Sequence, residues 1–343
     1  VSPASDGAVS GARRRLAFAS LGVLLGAADT YVVVVALPAI MSSVGIDIAH
    51  LHEATPIVSG FLLGYVAMLP LLGRLSDIFG RGPLLTVCLV LFAFGSLVTA
   101  SATSLAAVVA GRTLQGAGGG GLVPVTLALV ADLWPRRRRG MPLGVVGAVQ
   151  EVGSVVGPLY GAALTAVSTW RAIFYVNLPL AAAVAAGVHD GRVARPGSRD
   201  LLGIGLAAVC VVATVLAVAA PPALTDSVTL GTVFVPLVAD APVTSPVWMA
   251  AAAAALLFLA RELTAPAGVR VLLPVRAMPA GLRAVDWPGA VLVAVALGAV
   301  VATFAGADPQ QGVLAPSAEL LLPAAALTAL LFVARELTTS HPL

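Results

Sequence analysis

Apolar residues run along this chain in long unbroken stretches, without the alternation of half-buried strands. A helix needs about 20 mostly apolar residues to cross a bilayer. Ten stretches approach that length: 16–38, 56–73, 83–101, 106–131, 143–166, 172–188, 201–220, 242–260, 287–306 and 319–334. Membrane barrel strands would alternate over about ten residues and are excluded. The pattern predicts an all-α integral membrane protein.

Composition agrees: the chain is 59% hydrophobic and 10% charged, with a mean hydropathy of +1.02, where a soluble domain carries about 25% charged residues. Every basic residue is arginine, and all but Arg112 and Arg171 sit at alternate ends of the spans: Arg13–Arg15, Arg74 and Arg81, Arg136–Arg139, Arg192, Arg195 and Arg199, Arg261 to Arg283, and Arg335. The opposite loops carry Asp47, Glu53, Asp226, Asp240 and Asp308, or no charge. The positive-inside rule then places a multi-pass protein in the plasma membrane with its N-terminus cytoplasmic. The same alternation accounts for the arginine clusters without a nucleic-acid partner. Arg13–Arg15 before an apolar run looks like a signal peptide, but no small-residue cleavage site follows, so the first span is retained. Cys88 and Cys210 lie inside spans as packing residues, and His50, His52 and Glu53 read as a solvated loop rather than a metal site. With no nucleophile–base set and no P-loop, the chain is not read as an enzyme.

The chain divides into a disordered cytoplasmic tail (1–12), a six-helix unit (13–190), a linker hairpin (191–270) and a second hairpin (271–343). The hairpins look duplicated. Leu257–Leu263 recurs as Leu331–Leu337, and Asp200-x-x-Gly203 recurs as Asp286-x-x-Gly289.

Polar residues inside spans carry the functional signal. Asp29, Arg112, Gln115, Gln150 and Glu151 all interrupt apolar runs, and a charge at bilayer depth costs roughly 3 kcal/mol on insertion scales. Asp29 lies near the middle of span one, and Glu151 precedes a glycine face in span five. A carboxyl desolvated at such depth is a candidate proton carrier, as a coupled pair or as separate stations. Gly153, Gly157 and Gly161 follow at i, i+4, i+8, a seam for close helix packing, and Pro158 bends the helix that carries it. Arg112 stands one turn before the glycines of span four. Formally Gly116-x-Gly118-x-x-Gly121 matches a dinucleotide fingerprint, but no strand precedes it, so it reads as a packing face. Between spans two and three, Gly73 and Gly80 permit a tight reversal, and Asp77 there pairs with a cation or a helix end. Trp170 suits an interfacial anchor and Arg171 an outer-side ion pair.

Together these motifs resemble the major facilitator superfamily. Gly73–Arg81 looks like its loop 2–3 signature, Arg112-x-x-Gln115-Gly116 like its span-four signature, and Gly153 to Gly161 like its span-five antiporter signature. Asp29-Thr30 with Ala36–Pro38, and Trp170-Arg171 with Asn177-x-Pro179, resemble the fourteen-helix drug:proton antiporter branch. Ser43–Ile46, Leu51-His52, Leu63–Tyr65, Pro70–Arg74 and Gln150–Gly161 are most similar to that branch's exporters of triacylglycerides and drugs. The resemblance implies proton-driven export of lipids or lipophilic drugs, powered by the proton gradient without a cofactor, in concert with a periplasmic lipid-carrying lipoprotein. It implies Asp29 and Glu151 as protonation sites, Arg112 as their electrostatic modulator, and Asp77 as a gating charge in the signature holding Gly73, Gly80 and Arg81.

There are departures: Ile78 and Gly82 stand where the signature is basic, and Val34 where it is polar. One six-helix half plus two linker hairpins is expected, with the C-terminal half absent and the chain a truncated exporter. The alternative is a non-transporting membrane scaffold, or a half-transporter that needs a partner chain.

Overall fold

In a computed structural model the described residues are helical almost throughout. The structure describes residues 3–188, 198–199, 201–219, 231–235, isolated positions from 245 to 261, 269–270, 286–305 and 317–338. Six helices make up the first part: α1 (Pro3–Ser43), α2 (Thr55–Phe79), α3 (Arg81–Ser101), α4 (Leu105–Leu133), α5 (Gly140–Val167) and α6 (Arg171–Val188). Then come α7 (Leu201–Ala219), α8 (Trp287–Ala305) and α9 (Ala318–Thr338). Five helical segments are long and apolar enough to cross a membrane, judged by length and composition among the described residues: Gly11–Ser43, α3, α4, α5 and α9. Arg171–Ala185 and Pro288–Phe304 are shorter apolar helices. Most of the eighth expected span, 242–260, lies outside the described residues, as do most of the linker at 190–199 and the outward loop at 221–241.

Local chemistry sets the boundaries. Helix α1 begins at Pro3, so residues 3–12, expected as a disordered tail, continue the helix. Proline suits a first helical turn because its missing N–H has no partner there anyway. At its other end α1 closes at Gly45, whose φ is +78°, with the Ile46 N–H returning to the Met41 carbonyl, a Schellman-type stop. Ser104 caps α4 by accepting from the Ala107 N–H. A single residue, Gly80 at φ +83°, separates α2 from α3.

Two compact units emerge. Residues 191–279 form one, which holds α7 and a two-residue parallel pairing of Ser198–Arg199 with Val269–Arg270. The other comprises 1–190 and 280–343. The second hairpin, expected as a separate module, thus belongs to the six-helix unit. Helix α8 packs on α2: Ala290 joins the core there, and a Cβ at Gly298 would stand 2.7 Å from Leu63 Cδ1.

Within the six-helix unit α4 packs on α2 and α3, α5 on α1, and α6 on α3 and α1. The core holds two large apolar clusters and a small third one around Val23, Val130 and Val146. One large cluster holds Leu25, Leu89, Phe92, Leu122 and Ala181; the other holds Val32, Ala100, Val108 and Phe174. On α1, α3, α4 and α6 alike, a polar residue separates the stretch in one cluster from the stretch in the other.

Candidate functional site

Those separating residues are Asp29, Ser96, Arg112, Gln115 and Asn177, and they meet. Asp29 is fully buried and Arg112 is 1% exposed. Arg112 Nη1 lies 2.5 Å from Asp29 Oδ2 and also donates to Gln115 Oε1 at 2.8 Å. Gln115 Nε2 donates to Asp29 Oδ1 at 2.7 Å and to Ser96 Oγ at 2.8 Å. Asn177 Nδ2 reaches the same Asp29 oxygen at 2.8 Å and Ser96 Oγ at 3.3 Å. Three donors from two other helices therefore face one acid, the arrangement a carboxylate accepts. The guanidinium is stacked as well, 4.3 Å from the Phe61 ring centroid and 5.7 Å from that of Phe174.

Burying both charges is expensive. The mutual attraction offsets desolvation only where hydrogen bonds satisfy what the pair leaves over. Helical spacing supplies them here: Arg112 and Gln115 lie three residues apart on one face of α4. Ser96 and Asn177 complete the set, and sequence reading assigned neither to it. A serine in an apolar helix usually bonds its own backbone, as Ser96 does to Phe92 O, so its second role carries no sequence signal.

Glu151 stands apart from this network. Expected to be desolvated, it is exposed on α5 and lines an open cleft of about 70 Å³ with Tyr31, Tyr65, Gln150 and Ser154 against Gly26, Ala27 and Leu122. Depth along a span and the direction a residue faces are independent, and hydropathy reports only the first. Asp29 is buried in the network while Glu151 faces the cleft, and Glu151 is not among the partners of Asp29.

The α5 seam points at α1 beside Asp29. A Cβ at Gly153 would lie 2.7 Å from Ala27 Cβ, one at Gly157 would strike the Ala28 backbone, and one at Gly161 would strike Val32. Pro158 lies inside α5, between the last two glycines.

At the end of the unit that carries the arginines, Arg81 Nη1 donates to Ser76 O at 3.1 Å, and its Nε lies 3.1 Å from Asp132 Oδ2. Each charge opposes the dipole of its own helix, since Arg81 begins α3 and Asp132 nearly ends α4; together they neutralise both. Asp132 was not singled out by sequence because it merges into the arginine run after it. Gly73 and Asp77 lie in the last two turns of α2, and the Asp77 side chain is outside the described residues. At the other end, Arg171 donates to Ala102 O at 2.9 Å, capping α3, and stacks 4.5 Å from the Trp170 centroid; the expected ion pair does not occur among the described residues. Trp170 itself is 4% exposed, packed edge-on against Phe174 instead of anchoring at an interface. No group of three or more metal-ligating side chains occurs among the described residues.

Apolar helices of membrane length around a buried ion-pair network define a multi-pass helical membrane protein. The sequence profile of the Major Facilitator Superfamily matches residues 19–335, and the chain belongs to that family. It is 49% identical over 203 residues to a triacylglyceride transporter of Mycolicibacterium smegmatis, which covers 57% of this chain and 36% of the relative. Against a triacylglyceride transporter of Mycobacteroides abscessus the identity is 55% over 163 residues, 47% of this chain and 32% of the relative. The chain thus spans about a third of the length of these relatives. The human organic anion transporter MFSD10 aligns with a TM-score of 0.44 at 18% identity, covering 94% of this chain and 86% of that one.

Proposed function

We propose that this chain supplies the proton-handling helices of a proton-coupled exporter of lipophilic molecules, with Asp29 and Glu151 as its two proton stations. One observation carries the reading: the fully buried Asp29 carboxylate, shared among Arg112, Gln115 and Asn177. A proton on Asp29 cancels the charge Arg112 pairs with and takes one carboxyl oxygen from its donors, so α1, α4 and α6 rearrange around it. Glu151, open to the cleft, exchanges protons from there. The glycine seam brings α5 close to α1 at the turn that carries Asp29, which links the two stations mechanically.

Energy comes from the proton gradient with no cofactor, in the plasma membrane, antiporting protons against cargo. Similarity to triacylglyceride transporters supports a lipid cargo; a lipophilic drug as alternative cargo and a periplasmic lipoprotein as acceptor belong to the same reading. Gating would fall to the α2–α3 turn with Gly73, Asp77, Gly80 and Arg81.

In cells, Asp29→Asn and Glu151→Gln should each abolish gradient-driven efflux of a lipophilic dye while membrane abundance stays at the wild-type level. Wild-type efflux in both variants would remove the coupling assignment, and a scaffold would tolerate both changes.

A further inference from the structure

Two arginine runs each adjoin a residue packed on one small cluster. Val23, Val130 and Val146 form its buried centre, and Leu16 and Trp134 pack against it. Arg13–Arg15 therefore leave α1 within a turn of Leu16, while Arg136–Arg138 leave the α4–α5 connection just after Trp134. Arg14 and Arg15 have interactions of their own, whereas Arg13, Arg136, Arg137 and Arg138 are exposed.

The backbone that presents the second run is regular. Arg136–Arg138 form one turn of 3-10 helix, closed by the Arg138 N–H donating to Pro135 O at 2.8 Å. The fourth arginine of the run is spent on the fold. Arg139 turns back to donate through Nε to Trp134 O at 2.9 Å and through Nη2 to Ala131 O at 2.5 Å, capping α4. Asp132, the neighbouring acid, is held by Arg81. Three exposed arginines thus sit on a turn whose backbone is already hydrogen-bonded before binding. Beside them Met141, 82% exposed, adds an apolar side chain at the same level. Guanidinium forks suit phosphate oxygens, and an exposed thioether suits the start of the acyl layer.

We infer that Arg136, Arg137 and Arg138 form a docking site for the headgroup of an anionic phospholipid in the cytoplasmic leaflet. Orientation by positive charge alone requires basic residues on that side; it does not require three to be displayed on a regular turn with an apolar neighbour. Each basic residue near an anionic membrane surface contributes roughly 1 kcal/mol. Removing three should therefore weaken lipid affinity on the order of 100-fold.

Phosphatidylglycerol titrated onto the purified chain in uncharged detergent, where insertion direction plays no part, tests this by native mass spectrometry and by the unfolding midpoint. The wild type should retain bound phosphatidylglycerol and unfold at higher temperature, and raised salt should weaken both effects. Triple substitution Arg136→Gln, Arg137→Gln, Arg138→Gln should lose the binding, whereas the corresponding triple lysine variant should stay within a few-fold of wild type. Undiminished affinity in the glutamine variant, equal loss in the lysine variant, or equal stabilisation by phosphatidylcholine or by inorganic phosphate would each overturn the assignment.

Discussion

At the scale of single residues the molecule is organised by one ion pair. Arg112 is among the largest fully buried side chains, and its charge is tolerable only because Asp29 and Gln115 answer it. Arg112→Leu strands the Asp29 carboxylate in apolar surroundings and should destabilise the unit by about 3–5 kcal/mol. The double variant Asp29→Asn, Arg112→Gln removes both charges and should recover much of that loss. Unfolding in mixed micelles measures both; an Arg112→Leu protein as stable as wild type would mean that Asp29 is not held by that pair. Asp29, Arg112 and Gln115 were legible in the sequence because charge and amide stand out in apolar runs. Their partners Ser96 and Asn177 were not, since small polar residues are common in membrane helices and their bonds are made across helices far apart in sequence.

Elements join where side chains are missing. On α5, Gly157 faces the Ala28 backbone, whereas Gly147 has nothing within 4 Å of where a Cβ would stand. Gly157→Ala should therefore cost about 1–3 kcal/mol through overpacking. Gly147→Ala should be neutral or stabilising by up to about 1 kcal/mol, and the same unfolding assay separates the two. The i, i+4, i+8 spacing announced this seam. The packing of α8 on α2 had no such announcement, because a helix apolar on all sides does not reveal which face is covered. The duplication did mark the residues that close the hairpin. Asp286 accepts from Arg335 Nε at 2.8 and 2.9 Å, and Arg335 Nη2 lies 2.7 Å from its Oδ1. Hydrogen bonding to Arg335, aided by the Gly289 N–H, holds the Asp286 carboxyl below the ordinary carboxylate range. A depressed carboxyl contributes its stability in full above the unfolded value of about 4 and loses it as pH falls through the lower folded value. Hydrogen exchange in α8 and α9 should thus be flat from pH 7 to pH 5, once corrected for intrinsic rates, and should accelerate in stronger acid. Asp286→Asn should accelerate it at every pH; unchanged protection in that variant would contradict the clasp.

For the molecule as a whole, the buried network lies between two apolar clusters, and the open cleft, which does not include Asp29, is lined by α1, α2, α4 and α5. The class of protein and the ordering of its first six helices were readable from hydropathy and arginine placement, since both follow from the bilayer. The lateral exposure of Glu151 and the attachment of the second hairpin follow from tertiary packing, which leaves no periodic trace in a chain apolar on every face. On the proposed function, proton and cargo movement meet at Asp29. The most direct test is the cargo-linked proton flux of the protein reconstituted in proteoliposomes, followed with an entrapped pH dye. Wild type should move protons when a lipophilic cargo is added across an imposed gradient, and Asp29→Asn should reduce that flux to the level of empty vesicles. Cargo-linked proton movement that persists undiminished in Asp29→Asn would contradict proton coupling through this site.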